Sequence, residues 1–366
     1  MPGNQIAPVL KSNAYGHGLF EVARILEHSD HNIPFFVVDS YFEAVALRAE
    51  GFQTPLVIMG YTRPSIIAHS SLKNTAFTIT SMEVLRRFSA EKPQAPEGYD
   101  EEVHGKYHIP HSHRIRIHLK IDTGMRRQGI LPDEINEAES IIKGNECLVL
   151  EGICTHFCDS DDPDESFTEG QIGLWNRIVK QFRSSFPHLK YTHASATDGL
   201  RFSEDIEANV GRLGIGLYGL SDNAALGARL KLQPVLSMKT ILTGVKHLKA
   251  GETIGYGNTY EAVGDMVIST IPVGYFEGLD RRMSSNGFVQ VGTDNVPCEI
   301  LGRVSMNISS IDVTKVKDPI IGTSVTVISY KADDSNSIQT IAKLCGTIPY
   351  EVAVKIPAHL KRVVVD

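Results

Sequence analysis

The stretch APVLKSNAYGHGLFEVARILEHSD, residues 7–30, decides how the rest of the chain is read. Ala7 to Lys11 is an apolar run that reads as a strand, and Ser12-Asn13-Ala14-Tyr15-Gly16-His17-Gly18 after it is a small, glycine-rich turn. FEVARILEHS then spaces apolar residues three and four apart, the period of a helix with one buried face. Strand, turn and helix make one β/α unit, and the unit recurs. Further apolar, β-branched runs lie at Phe35 to Asp39, Pro55 to Met59, Thr75 to Ile79, Ile115 to Ile121, Leu148 to Phe157, Tyr191 to Ala194 and Gly214 to Tyr218. FEAVALRAEG, MEVLRRFSAE, PDEINEAESIIKG and EGQIGLWNRIVKQF carry helical period between them.

Strands that alternate with helices imply a parallel sheet with crossover connections, and eight such strands suggest closure into a TIM-like (β/α)8 barrel over residues 1–225. Beyond about residue 230 the helices largely disappear, and VLSMKTILTGV, MVISTIPVGY, GFVQVG, SVTVISY and LKRVVVD predict a β-rich domain over 226–366. Lys92 to Arg114, rich in proline, glycine and charge, reads as a long surface loop inserted before the fifth strand. No fixed-period repeat is found.

The length of 366 residues suits two domains, and 42% hydrophobic with 22% charged residues is an ordinary globular composition. A formal charge of -7 argues against a nucleic-acid surface and for a small-molecule partner. No apolar run reaches membrane-span length and the start lacks a leader pattern, so the expected location is cytoplasmic. Cys147, Cys154, Cys158, Cys298 and Cys345 sit in apolar segments and read as reduced thiols.

In a barrel of this kind chemistry belongs at the C-terminal ends of the strands. Lys11, Arg127, His156, His193 and Gly219 fall there. Lys11 has room to bond a carbonyl carbon, although a strand-end lysine is more often a surface residue. Gly214-Ile215-Gly216-Leu217-Tyr218-Gly219 fits the dinucleotide fingerprint by letter, but its glycines lie inside a strand-like run rather than between a strand and a helix. Cys154, His156 and Cys158 would share one face of a strand and suit a soft metal, yet no fourth ligand is evident. His104, His108, His111 and His113 belong to the inserted loop.

VLKSNAYGHG resembles the cofactor-lysine segment of the alanine racemases, a family of fold-type III pyridoxal-phosphate enzymes. Six further segments resemble that family in order: HLKIDTGMRRQGI (118–130), EGICTHF (151–157), NVGRLGIGLYG (209–219), IGYGNTY (254–260), IPVGYFEG (271–278) and LGRVSMN (301–307). The resemblance implies pyridoxal 5'-phosphate as cofactor and interconversion of L-alanine and D-alanine by two bases on opposite faces of the α-carbon. Lys11 resembles the lysine that bonds the cofactor and takes the proton from the D-enantiomer. Tyr256 resembles the base for the L-enantiomer, supplied by the second subunit of a homodimer. A tyrosine titrates near 10 and needs cationic or hydrogen-bonding support to act near neutrality, which the resemblance assigns to His156.

The same resemblance places Arg212 at the pyridine nitrogen. An acidic residue there would instead mark the related decarboxylases. It places Arg127 at the substrate carboxylate with Lys120, carbamylated in some members, beside it. The phosphate is expected at Gly214 and Ile215 and at the hydroxyls of Tyr15, Thr197 and Tyr350. Tyr275 and Tyr350 resemble the channel gate, and Met306 a residue given across the dimer. The pattern is broken where Ala196 replaces an asparagine, Thr197 a serine and Asn307 an aspartate. Only ten residues precede Lys11, where the family usually has a strand and a helix that help close the barrel, so either the sequence is shortened there or the chain folds with a gap at that edge. Those departures motivate the alternative of a catalytically impaired, cofactor-binding regulatory protein. Retention of Lys11 and Tyr256 argues against it.

Overall fold

The computed structural model describes residues 5–90, 114–160 and 162–365, so the loop histidines and nearly all of the insertion at 92–114 lie outside the described residues. The chain divides into one compact unit built from residues 1–12 and 22–217 and another from 13–21 and 218–366.

In the first unit eight parallel strands follow in order: β1 (Gln5–Pro8), β2 (Phe36–Val38), β3 (Leu56–Ile58), β4 (Thr75–Ile79), β5 (Ile115–Lys120), β6 (Leu148–Cys154), β7 (Tyr191–His193) and β8 (Val210–Leu213). Strands β2 to β7 are hydrogen-bonded in sequence order, and β1 pairs in parallel with β8 from Gln5↔Val210 to Pro8↔Leu213. Two seams curl this sheet into a ring. Leu10 N–H donates to Val37 at 2.8 Å on one side, and Arg212 N–H donates to Ser195 O at 3.0 Å on the other. A gap beside the first strand is therefore absent from the strand ring, because β1 itself pairs with β8. Every residue of β2, β3 and β4 is buried, as a sheet packed on both faces requires.

The five crossover helices read from the sequence form, Tyr41–Ala49 and Ser166–Ser185 among them, and a sixth, Pro64–His69 between β3 and β4, was not expected. Tyr41–Ala49 begins on a capping box in which Ser40 Oγ accepts from Glu43 N–H and Glu43 Oε2 accepts from Ser40 N–H. The eighth strand differs from its expected place at Gly214 to Tyr218. It ends at Leu213, and Ile215–Tyr218 is a 3-10 turn whose Gly216 N–H leaves the ladder for Thr197 Oγ1 at 3.1 Å.

The second unit, among the described residues, is built on an antiparallel seven-stranded sheet. Its strands are β9 (Met238–Ile241), β10 (Gly244–Leu248), β13 (Met266–Ile271), β14 (Phe288–Val291), β15 (Val296–Leu301), β16 (Ser309–Asp312) and β17 (Ser324–Ile328), in the order β10-β13-β16-β15-β14-β17-β9. β11 (Thr253–Ile254) and β12 (Tyr260–Glu261) form a separate hairpin. Burial alternates along β14 and β16, the mark of a sheet with one covered face. Helices do not vanish from this half: Ile338–Leu344 and Pro349–Val354 are both helical. Each has a start signal, a Ser337 N-cap accepting from Thr340 N–H and a proline at the first turn of the second. No helix among the described residues is long and apolar enough to cross a membrane.

Candidate active site

Lys11 stands just past β1 and is half-buried. The residues after it do what L-amino acids seldom do. Ser12, Asn13, Ala14 and Tyr15 have φ of +57°, +56°, +51° and +52°, one full turn of left-handed helix without a glycine. Such a residue costs roughly 1–2 kcal/mol, so the surroundings must hold the turn in place. They do: Glu43 Oε1 accepts from Ser12 N–H at 2.7 Å, while Asn13 Oδ1 accepts from Leu19 N–H at 2.9 Å. One carboxylate thus caps a helix and fixes the backbone beside Lys11. Sequence reasoning missed Glu43, although Ser40-Phe42-Glu43 spacing as a capping box was its visible signal.

Arg212, on β8, is the most enclosed of the expected charged site groups. Its Nη1 donates to His193 O at 2.8 Å and to His193 Nδ1 at 2.9 Å. Its Nη2 donates to Thr155 O and Ala194 O at 2.8 Å and meets His156 Nδ1 at 3.1 Å. Burial and the nearby Arg212, Lys120, Arg127 and Lys11 cations push His156 down to about 3, so it is a neutral hydrogen-bonding group here and not a cation. His193 is held well below the ordinary histidine range by burial, Arg212, His118 and Lys120.

Lys120, buried at the end of β5, donates to Gln128 Oε1 at 3.1 Å. Burial lowers it first, and Arg212, Arg127 and Lys11 add to the shift. Arg127 is exposed on a loop that folds back on β5: Asp122 N–H donates to Ile130 O, Ile130 N–H to Lys120 O, and Asp122 Oδ1 accepts from Gly124 and Arg126 N–H. Thr197 Oγ1 joins the Ile215–Tyr218 turn through Gly216, with Gly214 immediately before that turn and Ala196 half-buried before Thr197. Within the first unit the expected groups Lys11, Lys120, Arg127, His156 and Arg212 therefore share one electrostatic neighbourhood.

Cys154, His156 and Cys158 do not share one strand face. β6 ends at Cys154, so His156 and Cys158 leave the strand alternation, and Cys158 Sγ instead meets Gln171 Oε1 at 3.5 Å. Among the described residues no three His, Cys, Asp or Glu side chains could hold a metal ion.

The remaining expected residues lie in the second unit. Tyr15 is buried beside Tyr218, ring centroids 5.2 Å apart, and 6.0 Å from the Tyr350 ring. Tyr256 sits in a tight turn between β11 and β12 and is 72% exposed. Tyr275 and Met306 are also exposed, on two loops stitched together by Tyr275 N–H to Ser305 O at 3.0 Å and Phe276 N–H to Met306 O at 2.9 Å. Gly274 permits this approach, since a Cβ there would stand 2.2 Å from Ser305 O and 2.3 Å from Met306 O. Asn307 Nδ2 donates to Glu277 Oε1 at 2.8 Å, and Glu277 Oε2 accepts from Gly274 N–H. An amide suits this neighbour, whereas an aspartate at 307 would face a carboxylate.

Comparison with known proteins now bears on these groups. Residues 1–222 match the family model for the alanine racemase N-terminal domain, and 235–364 that for its C-terminal domain. The chain belongs to the alanine racemase family. It is similar to an alanine racemase from Lactobacillus acidophilus, 34% identical over 99% of this chain and 91% of that protein. Among solved structures it resembles the alanine racemase from E. faecalis, with a TM-score of 0.83 and 29% identity over 98% of this chain and 91% of that one. It equally resembles a histidine racemase from Leuconostoc mesenteroides, with a TM-score of 0.83 and 26% identity over 100% of this chain and 92% of that one. Enzymes of the alanine racemase family are isomerases that depend on pyridoxal 5'-phosphate. The first unit fits such a group: a lysine at a strained strand end for its aldehyde, and clustered cations for its anionic oxygens.

Proposed function

We propose that this protein is an alanine racemase that interconverts L-alanine and D-alanine with two bases, Lys11 on one face of the α-carbon and Tyr256 of a second copy on the other. The observation that carries the reading is the gathering of Lys11, Lys120, Arg127 and Arg212 around a neutral His156 at the strand ends of the barrel unit. Pyridoxal phosphate, when bound, makes the α-proton acidic by withdrawing electrons from that carbon. The protein's part is to hold the substrate and move the proton.

Lys11 would carry the cofactor and exchange the proton on its face. Arg212 is always charged and fully directed by its acceptors, so it suits a fixed donor at the pyridine nitrogen. Arg127 would bind the substrate carboxylate, with Lys120 beside it. Gly214, Ile215, Thr197, Tyr15 and Tyr350 would hold the phosphate, with Tyr275 and Tyr350 at the entrance and Met306 given to the second subunit's site. His156 supports Tyr256 by hydrogen bonding, its neutral form leaving no positive charge to lend. The exposure of Tyr256, Tyr275 and Met306 favours a homodimer, in which each completes the partner's site.

The test is absorbance at ~420 nm, the band expected of a lysine-bound cofactor, with and without Lys11→Ala, together with solvent-deuterium exchange on alanine, serine and histidine. A Lys11-dependent band with fastest exchange on alanine is expected. A band without exchange would make the protein a cofactor-binding regulator, and fastest exchange on histidine would move the substrate to that of the Leuconostoc protein. Mixing inactive Lys11→Ala and Tyr256→Phe chains should restore activity, because a mixed dimer has one site with both bases.

A further inference from the structure

Behind Arg212 the barrel interior contains two buried imidazoles that the reaction described above does not use directly. His193 Nε2 lies 2.8 Å from His118 Nδ1, and His118 Nε2 faces Glu151 Oε2 at 3.6 Å. A guanidinium has donors and no acceptor, so His193 Nδ1 must accept from Arg212 and carry its proton on Nε2. That proton then points at His118 Nδ1, which must accept, leaving the His118 proton on Nε2 towards Glu151. Each link donates in the same direction, from the guanidinium to the carboxylate.

The last link is an electrostatic contact longer than a hydrogen bond, and His118 Nε2 is fully buried with no partner within hydrogen-bond distance. A buried orphan donor asks for a reason. The seat is also built for this ring. His118 pairs across the sheet with Gly152, where a Cβ would stand 2.8 Å from the imidazole, and Phe35 and Tyr191 pack against it. Glu151 in turn faces Arg116 Nη1 at 3.6 Å and lies within the field of Lys190.

We infer that Glu151 and His118 are positioning residues that act through His193 on Arg212, supplying the buried guanidinium with a remote counter-charge and fixing which way its donors point. The inference rests on Arg212 facing the ligand, as proposed above. The carboxylate stays away from the site, where it would compete with anionic cofactor and substrate groups, and its influence arrives through two neutral rings.

The test is nitrogen-15 spectroscopy of histidine and arginine side chains in the full-length protein, without added cofactor and again with it. Both His118 and His193 are expected in the Nε2–H form. In Glu151→Leu both rings should keep the Nε2–H form, which Arg212 dictates from the other end, while water exchange of the Arg212 guanidinium protons should quicken about tenfold, an effect of the size one coupled contact commonly carries. Glu151→Gln keeps an acceptor without the charge and should restore only part of the slow Arg212 exchange. His118→Phe should speed Arg212 exchange as Glu151→Leu does. Protonation of His118 on Nδ1 in the unaltered chain, or unchanged Arg212 exchange in folded Glu151→Leu protein, overturns the inference. The two readings fail separately: loss of the Lys11-dependent band leaves the tautomer measurement intact, and a normal band with unchanged Arg212 exchange removes only the chain.

Discussion

Arg212 is 4% exposed with acceptors at both terminal nitrogens, whereas Tyr256 is 72% and Met306 55% exposed. The barrel unit ties Arg212, Lys120 and His156 into a polar cluster, and the β unit turns Tyr256, Tyr275 and Met306 outward. The difference teaches that chemistry and stability are tied together in the first unit and separable in the second. Substitution of an inward group disturbs a network, while substitution of an outward one removes a function and little else.

The largest expected effect tests the outward side. Tyr256→Phe should slow racemisation by about 10²–10⁴-fold, the range of a lost general acid–base, while shifting the free energy of unfolding by less than about 0.5 kcal/mol. Coupled loss of stability in urea melts would break the comparison. On the inward side Arg212→Met strands the backbone acceptors at Thr155, His193 and Ala194, and since a buried unsatisfied acceptor costs about 1–3 kcal/mol, a drop of at least about 3 kcal/mol in unfolding free energy is expected, read from the same melts. A variant as stable as the parent would show that the cluster is not a structural unit.

Acidification sharpens the contrast. His17, down to about 4 from 6.5 mainly through burial, and His156, down to about 3, stay neutral in the folded chain while the unfolded chain takes up protons below pH 6.5. Stability is therefore unaffected by these groups above pH 6.5 and falls as the pH drops from 6.5 towards their folded values. Between pH 7.5 and 5.5 each should contribute a loss on the order of 1 kcal/mol, and His17→Gln should flatten the measured slope.

Gly274→Ala would force Ser305 and Met306 away, at a cost of about 1–3 kcal/mol, and should raise KM more than it lowers kcat because Tyr275 and Met306 shift together. An unchanged KM would detach that loop pair from substrate entry. The smallest effect is expected at exposed Ser12. Ser12→Gly relieves one left-handed residue and should stabilise the chain by up to about 1 kcal/mol in thermal melts.

The strands and helices of the barrel were legible because each buries one face at a fixed period: β2, β3 and β4 lie inside the apolar runs that name them. The eighth strand was placed late because Gly214 to Tyr218 is as apolar as a strand, and apolar content does not reveal that Gly216 prefers Thr197 to a ladder partner. Lys11 and Arg212 could be singled out from motif order. His118 and Glu151 could not be assigned a role, since their meaning depends on which strands lie side by side. The left-handed turn after Lys11 was invisible for a different reason: of Ser, Asn, Ala and Tyr only Asn visits that conformation readily, and the Glu43 carboxylate that holds Ser12 N–H comes from another part of the chain.

The pairing of β1 with β8 has a consequence for synthesis. Gln5 meets Val210, so the first strand emerges from the ribosome long before its partner exists. At about 5–20 residues per second, the wait is roughly 10–40 s. During that interval the nascent sheet presents an unpaired parallel edge, the kind of surface that associates with other chains. Ring closure over so long a loop is intrinsically slow, and it is the step at which a chaperone would have most to protect.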